Sequence, residues 1–287
     1  LGFEYAELSH GTRISLMPGI LEAVDAGEIK ISTLHNFCPL PMGVSHAAPN
    51  LFKFSASEKR ERDLAWKHSI KTIETAERLK AKLIVLHSGA VDLSGFFGDA
   101  HYQDKLEALA AAGKRDSPKY IKLMAEVEQR REARKEQPME LAIDMIRRLA
   151  EVAGEKNLLL GIENRESVEE IPFDHDMLFF LDQLPDNVRY WHDCGHAQIK
   201  HQMGFIDHRM HLESLSERLG GLHIHDVVLT PDGAHDHAPP GAGVIDYVAL
   251  KPFVGPEHIK VIELNPGVAP EDVTKGYAHI RSVWGPE

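Results

Sequence analysis

Seven short apolar runs in this chain each end in a residue able to do chemistry: "FEYAELS" at Glu7, "IKISTLHNF" at His35, "KLIVLHSG" at His87, "NLLLGIENR" at Glu163, "VRYWHDCGH" at Asp193, "GLHIHD" at His223 and "IKVIELNP" at Glu263. His196 follows Asp193 by three residues, and the stretch "GLHIHDVVLTPDGAHDHAPPGAG" (221–243) alone holds four histidines and three aspartates. The chain has 18 histidines in 287 residues, an excess that a solvated polar loop does not explain. Histidine is the commonest metal ligand and the commonest acid–base group near neutral pH. Taken singly, each residue means little. A strand-end Glu or His is usually a loop contact, the D-x-x-H of Asp193 and His196 has many chance matches, and "PPGAG" alone is a turn. Taken together, carboxylates and imidazoles buried in one mouth would repel or stay unsatisfied unless a cation held them. The joint pattern predicts a metal site.

Something must bring these ends together. Continuous apolar runs of this length fit strands buried on both faces, as in parallel sheets. Helical patterns lie between them. One over 57–80 starts with Ser57 as N-cap and carries Leu64, Ile70, Ile73 and Leu79. A second begins with Ser117 as cap and Pro118 at the first helical position. Pro138 should end or kink it before "MELAIDMIRRLAEVAG" continues. "DHDMLFFLDQL" and "PEDVTKGYAHIRSVW" supply two more. The charge-rich run 126–136 reads as a solvated helix face. Strand ends at 163, 193, 223 and 263 are 30, 30 and 40 residues apart, the length of a βα unit. An α/β barrel points every such end into one mouth. The expectation is a single domain, 1–287, folded as an α/β (β/α)₈ TIM barrel lacking its first βα unit, with a helical insertion around 88–157.

Composition bounds the function. A net charge of −12 disfavours nucleic acid as a partner, since sequence-independent binding needs clustered Lys and Arg. Cys38 and Cys194 form no C-x-x-C pair, which points away from a disulfide scaffold or a thiolate zinc site and suits a reducing cytoplasm. No apolar run approaches the roughly 20 residues of a membrane helix. Cytoplasmic localisation and a small-molecule substrate are expected, with room for a homo-oligomer.

On these motifs the chain resembles the xylose isomerase-like TIM-barrel superfamily, which contains sugar and sugar phosphate isomerases and epimerases together with endonuclease IV (AP endonuclease family 2). The resemblance is most specific in the second half. It implies one divalent metal held by Glu163 of "GIENR", Asp193 of "HDCGH", His223 of "GLHIHD" and Glu263 of "VIELNP", with His225 the nearest competitor of His223. Such an O/N set suits Mn²⁺, Zn²⁺, Mg²⁺ or Co²⁺ without choosing among them. In the epimerases of the family the two glutamates act as acid and base, so Glu163 and Glu263 are the implied catalytic pair. The metal polarises a carbonyl and favours an enediolate. His196, His225 and His237 are implied substrate contacts. The chain departs from the epimerases at His237, where they place an arginine. Endonuclease IV is matched at further positions: His35, His87, His196 and His237, with His235 where that enzyme has an aspartate. Up to three ions could then be reached. His10, His46, His68, His101 and His258 are read as surface or loop residues.

Two activities follow from the resemblance. One is isomerisation or epimerisation of a sugar or sugar derivative. The other is metal-dependent phosphodiester hydrolysis of the endonuclease IV type, with multinuclear zinc. The segment "NFCPLPMGVSHAAPNLF" lacks Arg and Lys and suits a lid over a small molecule, which favours the first.

Overall fold

The computed structural model describes residues 2–94, 101–231 and 233–285. Nine strands run as β1 (Tyr5–Leu8), β2 (Lys30–His35), β3 (Leu83–Leu86), β4 (Leu159–Glu163), β5 (Val188–Asp193), β6 (Leu219–Ile224), β7 (Asp226–Thr230), β8 (Gly233–Ala238) and β9 (Ile259–Ile262) among these residues. The helices are α1 (Met17–Asp25), α2 (Lys59–Leu79), α3 (Tyr102–Ala111), α4 (Pro118–Arg134), α5 (Glu136–Glu155), α6 (Met177–Asp182), α7 (Cys194–Met203), α8 (His208–Leu215), α9 (Tyr247–Leu250) and α10 (Pro270–Trp284). Seven strands form one parallel sheet in the order β1-β2-β3-β4-β5-β6-β9. Its edges, β1 and β9, are not paired with one another, so the barrel stands one βα unit short of eight among the described residues. The expected insertion is there: α3, α4 and α5 all lie between β3 and β4, although residues 95–100 of that span are outside the described residues.

Local chemistry explains most boundaries. The Ser117 hydroxyl accepts from the Tyr120 amide, and Pro118 opens α4. Pro138 falls in the first turn of α5, where its missing N–H costs no helical bond, so the break comes earlier, at Lys135. Ser57 is not the cap of α2; that place is taken by Glu58, with no side-chain bond. The run 126–136 is largely solvent-facing, but Arg131 is buried with its guanidinium 3.8 Å from the Phe173 ring. The pair β7–β8 is an antiparallel hairpin that grows out of β6.

Strand alternation splits the core in two. Outward-facing Leu34, Ile84, Leu86, Leu160 and Ile162 pack under helix residues such as Ile146 and Leu149. Inward-facing Leu83, Val85 and Trp191 fill the lumen. Trp191 has room because Gly161 and Gly221 flank it on β4 and β6. A Cβ on Gly161 would come within 3.2 Å of Trp191 Cβ, and one on Gly221 would collide with the indole. Overpacking of this kind costs about 1–3 kcal/mol. The indole thus forms the floor beneath the polar mouth, 5.0 Å edge-on from the His223 ring.

Candidate metal centre and acid–base site

One step above that floor, the same alternation turns Glu163, Asp193 and His223 inward, and Glu263 follows the end of β9. Ligand-capable atoms of these four residues all lie within 4.8 Å of one another. His223 Nδ1 is 2.8 Å from Glu163 Oε1, 3.1 Å from Glu263 Oε2 and 3.6 Å from Asp193 Oδ2. The first three side chains are buried, whereas Glu263 retains 22% exposure and marks the open side. The D-x-x-H spacing has a structural meaning. Asp193 caps α7, accepting from the His196 amide at 2.7 Å, and one turn of helix returns His196 to the same mouth.

Further imidazoles flank the centre. On the Glu163 side, Nε2 of His87 lies 2.7 Å and Nε2 of His35 3.6 Å from Glu163 Oε2. Across the mouth, His237 Nε2 is 3.7 Å from Glu263 Oε2, and His196 Nε2 is 3.8 Å from Asp236 Oδ2. His225 serves Asp193: its Nε2 donates to Oδ2 at 3.0 Å, while its Nδ1 accepts from the His237 amide at 2.8 Å. It also stacks on His237 with ring centroids 4.1 Å apart. Gly195 makes this fit possible, since a side chain there would strike the His225 ring.

His235 does not join the site. Its Nε2 pairs with the Thr230 hydroxyl at 2.9 Å across the hairpin, and Asp236 takes the place beside His196 and His237. A regular strand would put 235 and 237 on one face. The register of β7–β8 is irregular between Asp226 and Val228, and His237 adopts φ +56°, so the alternation breaks there. His10 lies in the turn after β1, half-buried and edge-on to His35, centroids 4.6 Å apart. His46 and His101 are exposed, His258 is half-buried, and half-buried His68 stacks on Phe52.

Arg165 is the chief residue the sequence reading passed over. From two residues beyond Glu163 it donates to Glu163 Oε2 at 3.0 Å, to Glu170 Oε1 at 3.2 Å and reaches Glu166 Oε2 at 3.0 Å. Its place in "GIENR", beside the matched glutamate, was the available signal. The sequence marks Glu7 only as a strand end. Its Oε1 lies 2.9 Å from Nε2 of His223, and its Oε2 accepts from the Thr33 hydroxyl at 2.6 Å.

Electrostatics follow from burial opposed by pairing. Burial pushes the Glu163 carboxyl up, but the Arg165 charge and hydrogen bonds from His223, His35 and His87 hold it well below the usual range. Glu263 is lowered too: burial raises it, while the charge on His223 and the bond from His237 prevail. Burial pulls His223 down, yet Glu263 and Glu7 hold it well above an ordinary imidazole. Bonds to Asp236 and Glu263 overcome burial at His237 and raise it to about 10. His87, buried beside Arg165, is lowered to about 3.

Three carboxylates and one imidazole thus converge on a single buried point, each with an oxygen or nitrogen aimed inward. The Arg165 guanidinium and the raised imidazoles of His223 and His237 face that charge. The donor set is what a first-row divalent cation or Mg²⁺ takes. These residues fit such an ion.

No curated protein matches the chain significantly in sequence. Among solved structures it is similar to a D-tagatose 3-epimerase-like protein (TM-score 0.66, 15% identity, covering 99% of this chain and 89% of that one). A putative xylose isomerase from Rhodospirillum rubrum gives TM-score 0.65 at 17% identity, covering 100% and 90%. The IolI protein with a bound zinc atom gives 0.65 at 16%, covering 99% and 88%. At these identities the likeness establishes the fold. The sequence itself, from residue 1 to residue 263, matches a known family, and the chain belongs to it: the xylose isomerase-like TIM barrels.

Proposed function

We propose that the chain is a divalent-metal-dependent isomerase or epimerase acting on a sugar or sugar derivative. The observation that carries this reading is the convergence of Glu163 and Glu263 on one point, with carboxylate oxygens 2.8 and 3.1 Å from His223 Nδ1. Glu163, Asp193, His223 and Glu263 would hold the cation, which supplies polarisation of a substrate carbonyl when bound. The residues do the rest. Either Glu163 or Glu263, ionised, would take the proton from the carbon next to that carbonyl and so become a carboxylic acid. Giving that proton to the neighbouring carbon shifts the carbonyl, whereas inversion requires the opposite glutamate to enter as the acid and give its own proton to the other face. His196 and His237 offer N–H groups to hydroxyls, while both nitrogens of His225 are committed to Asp193 and the His237 amide. Trp191 closes the floor to water. The solved structures of similar fold, among them a D-psicose 3-epimerase with D-fructose and an L-ribulose 3-epimerase, support a ketose as substrate. Arg165 already serves Glu163, Glu166 and Glu170, which favours an uncharged sugar over a sugar phosphate.

A second reading, hydrolysis of the endonuclease IV type, draws on two outer groups with ligand geometry, His35–His87–Glu163 and His196–Asp236–His237. The net charge of −12 stands against it. One experiment separates the two. Protein loaded with Mn²⁺ or Co²⁺ is incubated in D₂O with free ketoses, with their phosphates, and with duplex DNA carrying an abasic site. Deuterium entering a free ketose next to its carbonyl is the expected result. DNA nicking without exchange into any sugar overturns it.

A further inference from the structure

We infer that Glu7 is a positioning residue that fixes which nitrogen of His223 faces the carboxylate cluster. The inference rests on reading Glu163, Asp193, His223 and Glu263 as cation ligands. An imidazole has two nitrogens and can present either one. Here Nε2 is committed to Glu7 Oε1 at 2.9 Å, which leaves Nδ1 among Glu163, Glu263 and Asp193. Glu7 is itself fixed. Its other oxygen accepts from the Thr33 hydroxyl at 2.6 Å, and its side chain is 7% exposed.

The backbone explains why a residue on the edge strand can do this. The β1–β2 register slips between Ala6 and Glu7: Ala6 faces Ile31, but Glu7 faces Thr33. Such an irregularity re-aims a side chain. It turns Glu7 into the lumen, where the carboxylate reaches β6, a strand that β1 does not pair with. The carboxylate there meets two donors, the Thr33 hydroxyl and the ring Nε2–H of His223. Histidine ligands commonly donate their other N–H to a carboxylate, and loss of that partner typically weakens metal affinity 10–100-fold.

The test is Co²⁺ affinity of the metal-free protein, by competition with a chromophoric chelator, for wild type, Glu7→Ala, Glu7→Gln, Thr33→Val and Glu163→Gln. Affinity should fall about 10–100-fold in Glu7→Ala. Glu7→Gln keeps an acceptor carbonyl and should recover part of the loss. Thr33→Val removes the bond that orients Glu7, together with a longer contact to the Ser32 hydroxyl, and should cost about three- to tenfold; it tests the inference if Glu7→Ala does not fold. In Co²⁺-loaded protein the His223 Nε2–H proton should be a paramagnetically shifted, slowly exchanging resonance, kept in Glu7→Gln and lost to solvent exchange in Glu7→Ala. Wild type taking up no Co²⁺ removes the ligand reading and this inference with it. Folded Glu7→Ala and Thr33→Val binding Co²⁺ within twofold of wild type, while Glu163→Gln is weakened, overturns the inference alone.

Discussion

Asp236 Oδ1 lies 3.0 Å from His237 Nδ1, so two residues adjacent in a strand point the same way. The left-handed backbone at His237 and the irregular β7–β8 register bring this about. The pair faces His196, while His235 turns to Thr230. Asp236→Asn and His237→Ala should each lower sugar turnover about tenfold or more, whereas His235→Ala should stay within twofold of wild type. Steady-state kinetics on the three variants checks this, and equal losses in all three would contradict the geometry.

Glu163→Gln and Glu263→Gln keep side-chain volume and a carbonyl oxygen but remove the base. Each should slow turnover by at least ~10²-fold while the protein stays folded. Single-turnover rates on saturating substrate, with circular dichroism as the folding control, measure it. The two variants should differ in stability. Glu163 is buried against Arg165 and three imidazoles, and Glu263 is partly open, so Glu163→Gln should have the lower Tm.

A cation that binds the folded site and not the unfolded chain must raise stability. At about 100 times its Kd the gain is about 2.7 kcal/mol. Thermal unfolding in rising Mn²⁺, Co²⁺ or Zn²⁺ should therefore show a Tm that climbs with concentration and falls back with EDTA. The climb should vanish in Asp193→Ala. A Tm independent of all these ions would remove the metal centre.

The barrel and the inner ring of the site were legible because both rest on one local rule. A buried strand is an apolar run, and a polar residue at its C-terminal end has a face and a direction. Glu163, Asp193, His223 and Glu263 follow from that rule together with the resemblance. The elements that escaped depend on what crosses between strands. Trp191 can occupy the lumen only because Gly161 and Gly221, 30 and 30 residues away on either side, are small. Glu7 faces inward through a slip in register, and Asp236 through a left-handed residue, neither of which strand periodicity encodes. The hairpin β7–β8 does carry a signal in the sequence, the turn-forming Pro-Asp-Gly of "VVLTPDGA". The clustered histidines around it point to ligands instead, so the sequence favours His235 over Asp236.

Two histidines, His192 and His208, face away from the mouth and set a pH dependence of stability. His192 Nε2 and His208 Nε2 are 3.0 Å apart. The Tyr190 hydroxyl gives its one proton to Asn164 Oδ1 at 3.0 Å and so accepts from His192 Nδ1 at 2.8 Å. His208 Nδ1 lies 2.9 Å from Gln198 Oε1. Burial, with nearby His211, lowers His208 to about 3, and burial with His208 and His211 puts His192 well below an ordinary imidazole. The sign follows. Folded values lie below the unfolded value near 6.5, so the unfolded chain binds more protons in between, and stability rises with pH there. It is fully present above about pH 6.5 and is lost as pH falls from there toward about 3. Each such histidine contributes about 1.4 kcal/mol per pH unit, or about 2 kcal/mol between pH 6.5 and 5. Urea unfolding in EDTA at pH 7, 6 and 5 should show this decline. His208→Asn should flatten it by about one histidine's share, and His46→Asn, at an exposed position, should leave it unchanged. An unaltered slope in His208→Asn would mean that the pair takes up a proton in the folded state.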